Sequence, residues 1–195
     1  QLVLGTEKNN AGGELFFLNL STTTMYVSAP HREIELGGQA HHAAVFGRSL
    51  LVTTAGDPEL KKISFDGLEE LQYDAPLSIG NGKSILSMYP YAVLGRTLGS
   101  HELTLLDTSL TMLDSARTYG TVDALEVVHD KQSSKFLAFT ANSEKELQVW
   151  SVGNNQSLSL EYSLDLPGRM NSYACADGHL YITVSIVSIQ HLLIL

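Results

Sequence analysis

Cysteine is almost missing from this chain. Cys175 is the single one among 195 residues, so no intrachain disulfide can form and stability has to come from packing. The thiol lies in the apolar-leaning stretch Tyr173-Ala174-Cys175-Ala176, which predicts burial as a small apolar side chain. Cations are also scarce: 12 Lys and Arg stand against 21 Asp and Glu, for a formal net charge of −9. With no basic run along the chain, a generally basic surface that would hold nucleic acid through its phosphates is excluded. Uninterrupted apolar runs of membrane length are lacking too, since residues 180–195 are broken by Ser185, Ser188, Gln190 and His191. The first residues, Gln1-Leu2-Val3-Leu4-Gly5-Thr6, have neither the basic head nor the small-residue cleavage pattern of a secretory leader. A soluble protein with no membrane partner is expected. Finally, no segment keeps a 3.6-residue apolar period over three turns, so helix should be scarce.

What the chain has instead is a repeat. A strand-like segment opening with Glu-Leu recurs at Glu14-Leu15, Glu59-Leu60, Glu102-Leu103 and Glu146-Leu147, in steps of 45, 43 and 44, and one further step of 44 reaches Gln190. Four-stranded propeller blades repeat at about this period, because each small sheet can bury its faces only against its neighbours. Each Glu-Leu segment is preceded by a β-rich apolar run: Leu50–Thr54, Tyr91–Leu94 and Lys135–Thr140. A further alternating segment follows it, at Met25–Val27, Leu68–Tyr73, Leu110–Leu113 and Leu158–Tyr162. Opening strands are expected at Ala43–Phe46, Ile85–Tyr89, Ala124–Val128 and Ser172–Cys175.

The reading is therefore all-β: one partial β-propeller of four-stranded blades, three complete and two incomplete, with blades at about 1–38, 39–80, 81–121, 122–168 and 169–195. The chain begins on the second strand of a blade and stops inside the third strand of its fifth repeat. A closed ring of seven blades would need on the order of 300 residues at this period, which predicts that further blades lie outside these residues. Unpaired edges at both ends would invite association. The stretch Val184–Gln190 departs from the pattern by lacking the Gly, Asn or Asp expected at a hairpin.

Trp150-Ser151 occupies the place of the Trp-Asp pair of a WD40 repeat and Leu106-Asp107 its equivalent one blade earlier, but no blade opens with a clear Gly-His. Leu2-Val3-Leu4-Gly5-Thr6 followed by Gly12-Gly13-Glu14-Leu15-Phe16, the hairpin of Lys135–Val152, and Leu164–Gly168 with Leu180–Val184 form a different pattern. In this the chain is similar to the C-terminal propeller region of a family of multi-propeller scaffolds. That family comprises the large subunits of the damaged-DNA-binding protein and of the cleavage and polyadenylation specificity factor, and a related splicing-factor subunit. The polyadenylation member is the nearer through Asp123–Val152. The resemblance implies a nuclear, non-catalytic scaffold that holds other protein subunits of a pre-mRNA 3′-end processing complex and contacts RNA through that complex. A ubiquitin-ligase adaptor, a splicing scaffold and a lactonase-like propeller enzyme are the alternatives. The resemblance carries over no binding residue.

Local motifs add little chemistry. Gly80-Asn81-Gly82-Lys83-Ser84 resembles the end of a phosphate-binding loop, but Leu77 stands where the first glycine is needed and a strand follows in place of a helix, so a turn between blades is expected. His41 and His42 are adjacent, which on a strand sends them to opposite faces and prevents them from sharing an ion; an inter-blade loop is expected to hold them. Asp57 with Glu59, and Glu69 with Glu70, pass for catalytic carboxylates but are explained by solvated turns and edges. No nucleophile, zinc or dithiol motif is present, so no catalytic residue, cofactor or metal is assigned. Candidate partner-binding residues fall in the loops that lead into first strands and the hairpins that join second to third strands: His31, Arg32, His41, Asp57 and Arg96, then His101, Arg117, Tyr119, Lys145 and Arg169. An enzyme should gather several carboxylates at one end of the channel, whereas a scaffold should show a mixed rim.

Overall fold

A computed structural model of the chain describes residues 2–7, 13–19, 21, 23, 27–30, 32–55, 58–65, 70–73, 81–97, 101–127, 134–141, 145–177, 179–186 and 189–195. Every regular element among them is a strand. β1 (Leu2–Gly5), β2 (Leu15–Leu18) and β3 (Arg32–Ile34) form the first sheet. The second contains β4 (Gln39–Phe46), β5 (Ser49–Ala55), β6 (Leu60–Ser64) and β7 (Glu70–Tyr73). The third contains β8 (Gly82–Met88), β9 (Tyr91–Arg96), β10 (Leu103–Leu106) and β11 (Met112–Ala116). The fourth contains β12 (Thr121–Val127), β13 (Lys135–Ala141), β14 (Leu147–Val152) and β15 (Leu158–Leu164). β16 (Arg169–Ala176), β17 (His179–Ile186) and β18 (Ile189–Ile194) complete the set. Each sheet is an antiparallel meander in chain order, so the fold is a partial propeller of three four-stranded and two three-stranded blades.

The burial pattern explains why the second strand of each blade is so uniformly apolar. In β5, Leu50 and Val52 pack with Leu15, Phe17 and Ile34 of the first blade, while Leu51 turns to Ile85, Ala92 and Leu94 of the third. In β13, Phe136 and Ala138 meet Val93, Leu103 and Leu105 behind them, and Leu137 and Phe139 meet Ile182 and Val184 ahead. A strand buried on both faces has no polar alternation to show. The four hydrophobic clusters are thus the four interfaces between five blades, and truncating a side chain such as the fully buried Phe136 to Ala should cost about 3–5 kcal/mol.

β4 packs on β8 and β8 on β12, which puts the first strands side by side around a central channel. A meander fixes two faces. First strands start, second strands end, third strands start and fourth strands end at one of them, here called the upper face. The connections from first to second and from third to fourth strands lie at the lower face. Gly95 is required by close approach at the upper end: a Cβ there would run into Ser84 Oγ and the side chain of Val122 in the next blade.

Several expectations shift. The fourth strand of the first blade is Arg32–Ile34, paired with β2 through Leu15↔Ile34, rather than Met25–Val27. Met25 and Tyr26 lie outside the described residues, and Val27 forms only an isolated bridge. β11 starts at Met112, because Asp107 Oδ1 accepts the N–H groups of Ser109 and Thr111 at 2.8 Å each and holds Leu110 in a turn at φ 60°. Cys175 is exposed, not buried. It lies on the first strand of the last blade, where no described blade covers the far side. Gly82, Lys83 and Ser84 belong to β8 rather than to a turn between blades, and Gly80 lies outside the described residues.

Candidate functional site

The four repeated glutamates are structural. Glu14 and Glu102 are fully buried and Glu59 nearly so. Glu14 Oε2 accepts the N–H of Leu36 at 2.7 Å, Glu102 Oε2 that of Thr118 at 2.9 Å, and Glu146 Oε2 that of Leu166 at 2.9 Å. Each carboxylate therefore clamps the loop that leaves its own blade for the next first strand, and a charge-assisted bond of this kind is about twice as strong as a neutral one. In the second blade Glu59 accepts from Arg96 Nε of the third blade at 2.9 Å, a buried ion pair. This corrects the reading of Glu59 as a solvated turn residue. Its supposed companion Asp57 lies outside the described residues, as do Glu69 and the histidines His31 and His129.

A second repeated feature lies at the upper end of the channel. The ladder between first and second strands slips once in each of four blades: between Ala40 and His42, Gly82 and Ser84, Val122 and Ala124, and Met170 and Ser172. The bulged residues are His41, Lys83, Asp123 and Asn171, one per blade at the same level. A β-bulge re-aims a side chain, and His41, Lys83 and Asp123 line one cavity of about 450 Å³ together with Gln39, His42 and Tyr173. An adjoining cavity of about 240 Å³ shares Asp123 and adds Phe139, Glu146 and Arg169. His41 and His42 thus stand on β4, not on a loop.

The histidines are committed differently. His41 Nδ1 lies 2.7 Å from the Gly82 carbonyl oxygen and so donates to it, leaving Nε2 for other partners. His42 Nδ1 accepts the N–H of Ile85 at 3.1 Å, which requires that nitrogen to be bare. Although His42 as a residue is exposed, desolvation of its ring holds the imidazole below its usual 6.5, against the Ile85 backbone hydrogen bond and the pull of the Glu126 carboxylate. Burial likewise pushes the Tyr173 phenol up to about 12, with Glu126 adding to the effect. Tyr173 stacks on Phe139 at 4.5 Å between ring centres. No group of three or more His, Cys, Asp or Glu able to hold a metal ion occurs among the described residues, and no described helix is long and apolar enough to cross a membrane.

The remaining candidates separate by face. His101, Arg117, Tyr119, Lys145 and Arg169 are exposed at the upper face, with Lys145 anchored through its carbonyl, which accepts from Thr140 Oγ1 at 3.0 Å and Gln148 Nε2 at 3.2 Å. Arg96 is 6% exposed and donates from Nη1 to the His101 carbonyl at 3.2 Å, so its guanidinium lies inside the fold, away from any partner at the rim. Arg32 is at the lower face: it opens a fourth strand, lies over the Phe17 ring at 5.2 Å and reaches the Ser64 carbonyl at 3.5 Å. Third-to-fourth connections point away from the channel mouth, which is why Arg32 parts from the others.

Tyr119 stands out on the rim. It is 67% exposed and held at φ 62°, with the Arg117 guanidinium 4.9 Å from its ring centre. Its neighbour Thr118 is fixed three ways: its N–H on Glu102, its hydroxyl on the Gly120 carbonyl at 2.7 Å, and its carbonyl by Gln148 Nε2 at 3.0 Å. Gln148 is in turn held by Trp150 Nε1 at 3.0 Å. Left-handed backbone at a non-glycine residue costs of order 1 kcal/mol and persists only where its surroundings impose it. Sequence reasoning passed over Lys83, Asp123 and Asn171. The signal that could have found them is a polar residue two or three places into each first strand, at the same phase of the repeat as His41.

No family model and no curated protein matches the sequence. Solved structures do match. The β-propeller domain of Cps50 (Swd1) from Myceliophteria thermophila aligns over 92% of this chain and 70% of its own, with a TM-score of 0.66 at 11% identity. The periplasmic gluconolactonase PpgL of Pseudomonas aeruginosa aligns over 98% and 66%, with a TM-score of 0.67 at 11% identity. A chain of the nidogen/laminin complex aligns over 98% and 73%, with a TM-score of 0.59 at 13% identity. The chain thus spans roughly two thirds to three quarters of these structures. Likeness at such identities shows the fold alone, and that fold is the β-propeller.

Proposed function

We propose that this chain is a non-catalytic interaction platform whose upper face binds other protein subunits. The observation that carries the reading is Tyr119: an exposed aromatic held in a strained conformation with the Arg117 guanidinium over its ring, next to Thr118, whose backbone is fixed by Glu102 and Gln148. Tyr and Arg are the side chains that dominate interface energetics, and a prearranged pair loses little entropy on binding. The channel mouth supports the same reading. Its row of bulged residues holds one carboxylate, one ammonium, one imidazole and one amide, a mixed lining rather than a convergence of acids. A propeller also forms part of a protein complex in the nidogen/laminin structure.

The finer assignment rests on the sequence resemblance: a nuclear subunit of a pre-mRNA 3′-end cleavage and polyadenylation assembly, with RNA held through the complex. Affinity purification of the chain followed by mass spectrometry tests it. Recovery of endonuclease and poly(A)-machinery subunits, lost on Tyr119→Ala without a change in the melt, supports the proposal. Recovery of cullin components, or partners indifferent to Tyr119, overturns it. A propeller enzyme is the second reading, favoured by His41 beside Asp123 in one cavity and by the likeness to a gluconolactonase. Lactone hydrolysis abolished by His41→Gln would establish it.

A further inference from the structure

The channel mouth holds two opposite charges that ignore each other. Lys83 and Asp123 project from equivalent bulges on adjacent first strands and line the same cavity of about 450 Å³. Yet neither the Lys83 ammonium nor the Asp123 carboxylate makes a side-chain hydrogen bond or ion pair. Charges of opposite sign that shared a cavity for stability alone would close on one another or be solvated outward as surface residues are. Here the backbone slips at the same level in each of these blades to set them around one space, next to an imidazole whose Nδ1 is tied to Gly82.

We infer that this cavity is a binding site for a small dipolar ligand carrying both a carboxylate and an ammonium group, of the amino-acid class. Its carboxylate is taken by Lys83, its ammonium by Asp123, and a further polar group by His41 Nε2. Gln39 adds an amide that can donate or accept. The apolar wall is the Tyr173 ring, fixed by its stacking on Phe139. The volume falls in the range of small-molecule sites, apolar-walled with a few convergent polar groups. A ligand with one charge would leave the other side chain of the pair without compensation, so the site should discriminate against simple acids and simple amines. Arg169 lines the adjoining cavity that shares Asp123, so a second cation stands near the mouth. This site stands independently of the partner-binding role of the rim.

The test uses the whole chain. Glycine, 4-aminobutanoate and 6-aminohexanoate, which span increasing charge separations, are titrated by saturation-transfer NMR and calorimetry, with butanoate and butylammonium as half-ligands. The expected result is saturable binding of at least one dipolar probe, tighter than either half-ligand, and weakened about tenfold or more by each of Lys83→Gln and Asp123→Asn, as loss of a charge-assisted hydrogen bond requires. Lys83→Arg should retain binding. Both charge-removing variants should melt like the parent, because neither side chain has a partner to lose. Binding of none of the dipolar probes would overturn the inference. So would binding that both variants leave unchanged, or butanoate bound as tightly as the dipolar probes and sensitive to Lys83 alone, which would make it a plain anion site.

Discussion

Removing Arg96 should damage the fold far more than removing Arg96 and Glu59 together. Their side chains are 7% and 4% exposed and meet at 2.9 Å across the seam between the second and third blades. Taking away one partner strands the other charge in a place that water does not reach, a loss of about 3–5 kcal/mol, whereas replacing both with apolar groups of similar volume is often close to neutral. Arg96→Met and Glu59→Leu are the single changes, and the pair completes a double-mutant cycle. Trp150, 4% exposed and the sole tryptophan, reports unfolding by its fluorescence. With a urea slope of about 2 kcal/mol/M, each single variant should lower the midpoint by about 1.5–2.5 M. The double variant should recover at least half of the summed loss, a coupling of about 3 kcal/mol or more. Strictly additive losses, or single variants within about 0.3 M of the parent, would show that the seam is solvated and the pair is not buried.

Three other outcomes follow from the same geometry. Glu102→Gln keeps an acceptor for the Thr118 N–H and should cost about 1 kcal/mol, while Glu102→Ala leaves that buried donor unmet and should cost about 2–3 kcal/mol, read in the same urea assay. Tyr119→Gly should stabilise the chain by about 1 kcal/mol, through relief of its φ of 62°, while abolishing partner capture. His42 has a folded-state pKa below 6.5, so its contribution is fully present above pH 6.5 and is lost as pH falls through the folded value; the urea midpoint of the parent should drop on acidification in that window more than that of His42→Asn, which has no ring to protonate.

How much of this was readable from residues depended on how nearly each blade obeyed its own period. The second strands announce themselves because both faces are buried and the side chains are mostly apolar, as in Leu50-Leu51-Val52 and Phe136-Leu137-Ala138-Phe139. First strands read too short at their upper ends. There His41, Lys83 and Asp123 interrupt the apolar alternation, because each is a bulge that steps out of the ladder, and a polar residue at that phase looks like loop. Glu59 was misjudged for a related reason: acidity suggests solvent, and only the position of Arg96 in the next blade reveals that the charge is matched inside. In the first blade the alternation of Met25–Val27 suggested the fourth strand, but pairing with β2 falls to Arg32–Ile34, whose charged start gave no apolar signal. Tyr119 was picked out as a rim residue by its place before a first strand. The bonds that fix its neighbour Thr118 come from Glu102 and Gln148, distant in sequence and invisible to pattern.

The account stands on neighbouring blades meeting through their first strands, and NMR can observe that contact bond by bond. A through-hydrogen-bond coupling between the Ile85 amide nitrogen and His42 Nδ1, accompanied by nuclear Overhauser contacts from Ser84 to Val122, should be present in the folded chain, since the first bond joins the second blade to the third and the second joins the third to the fourth. Absence of both, with β4, β8 and β12 instead showing backbone ladder contacts to one another, would contradict the arrangement and every functional reading built upon it.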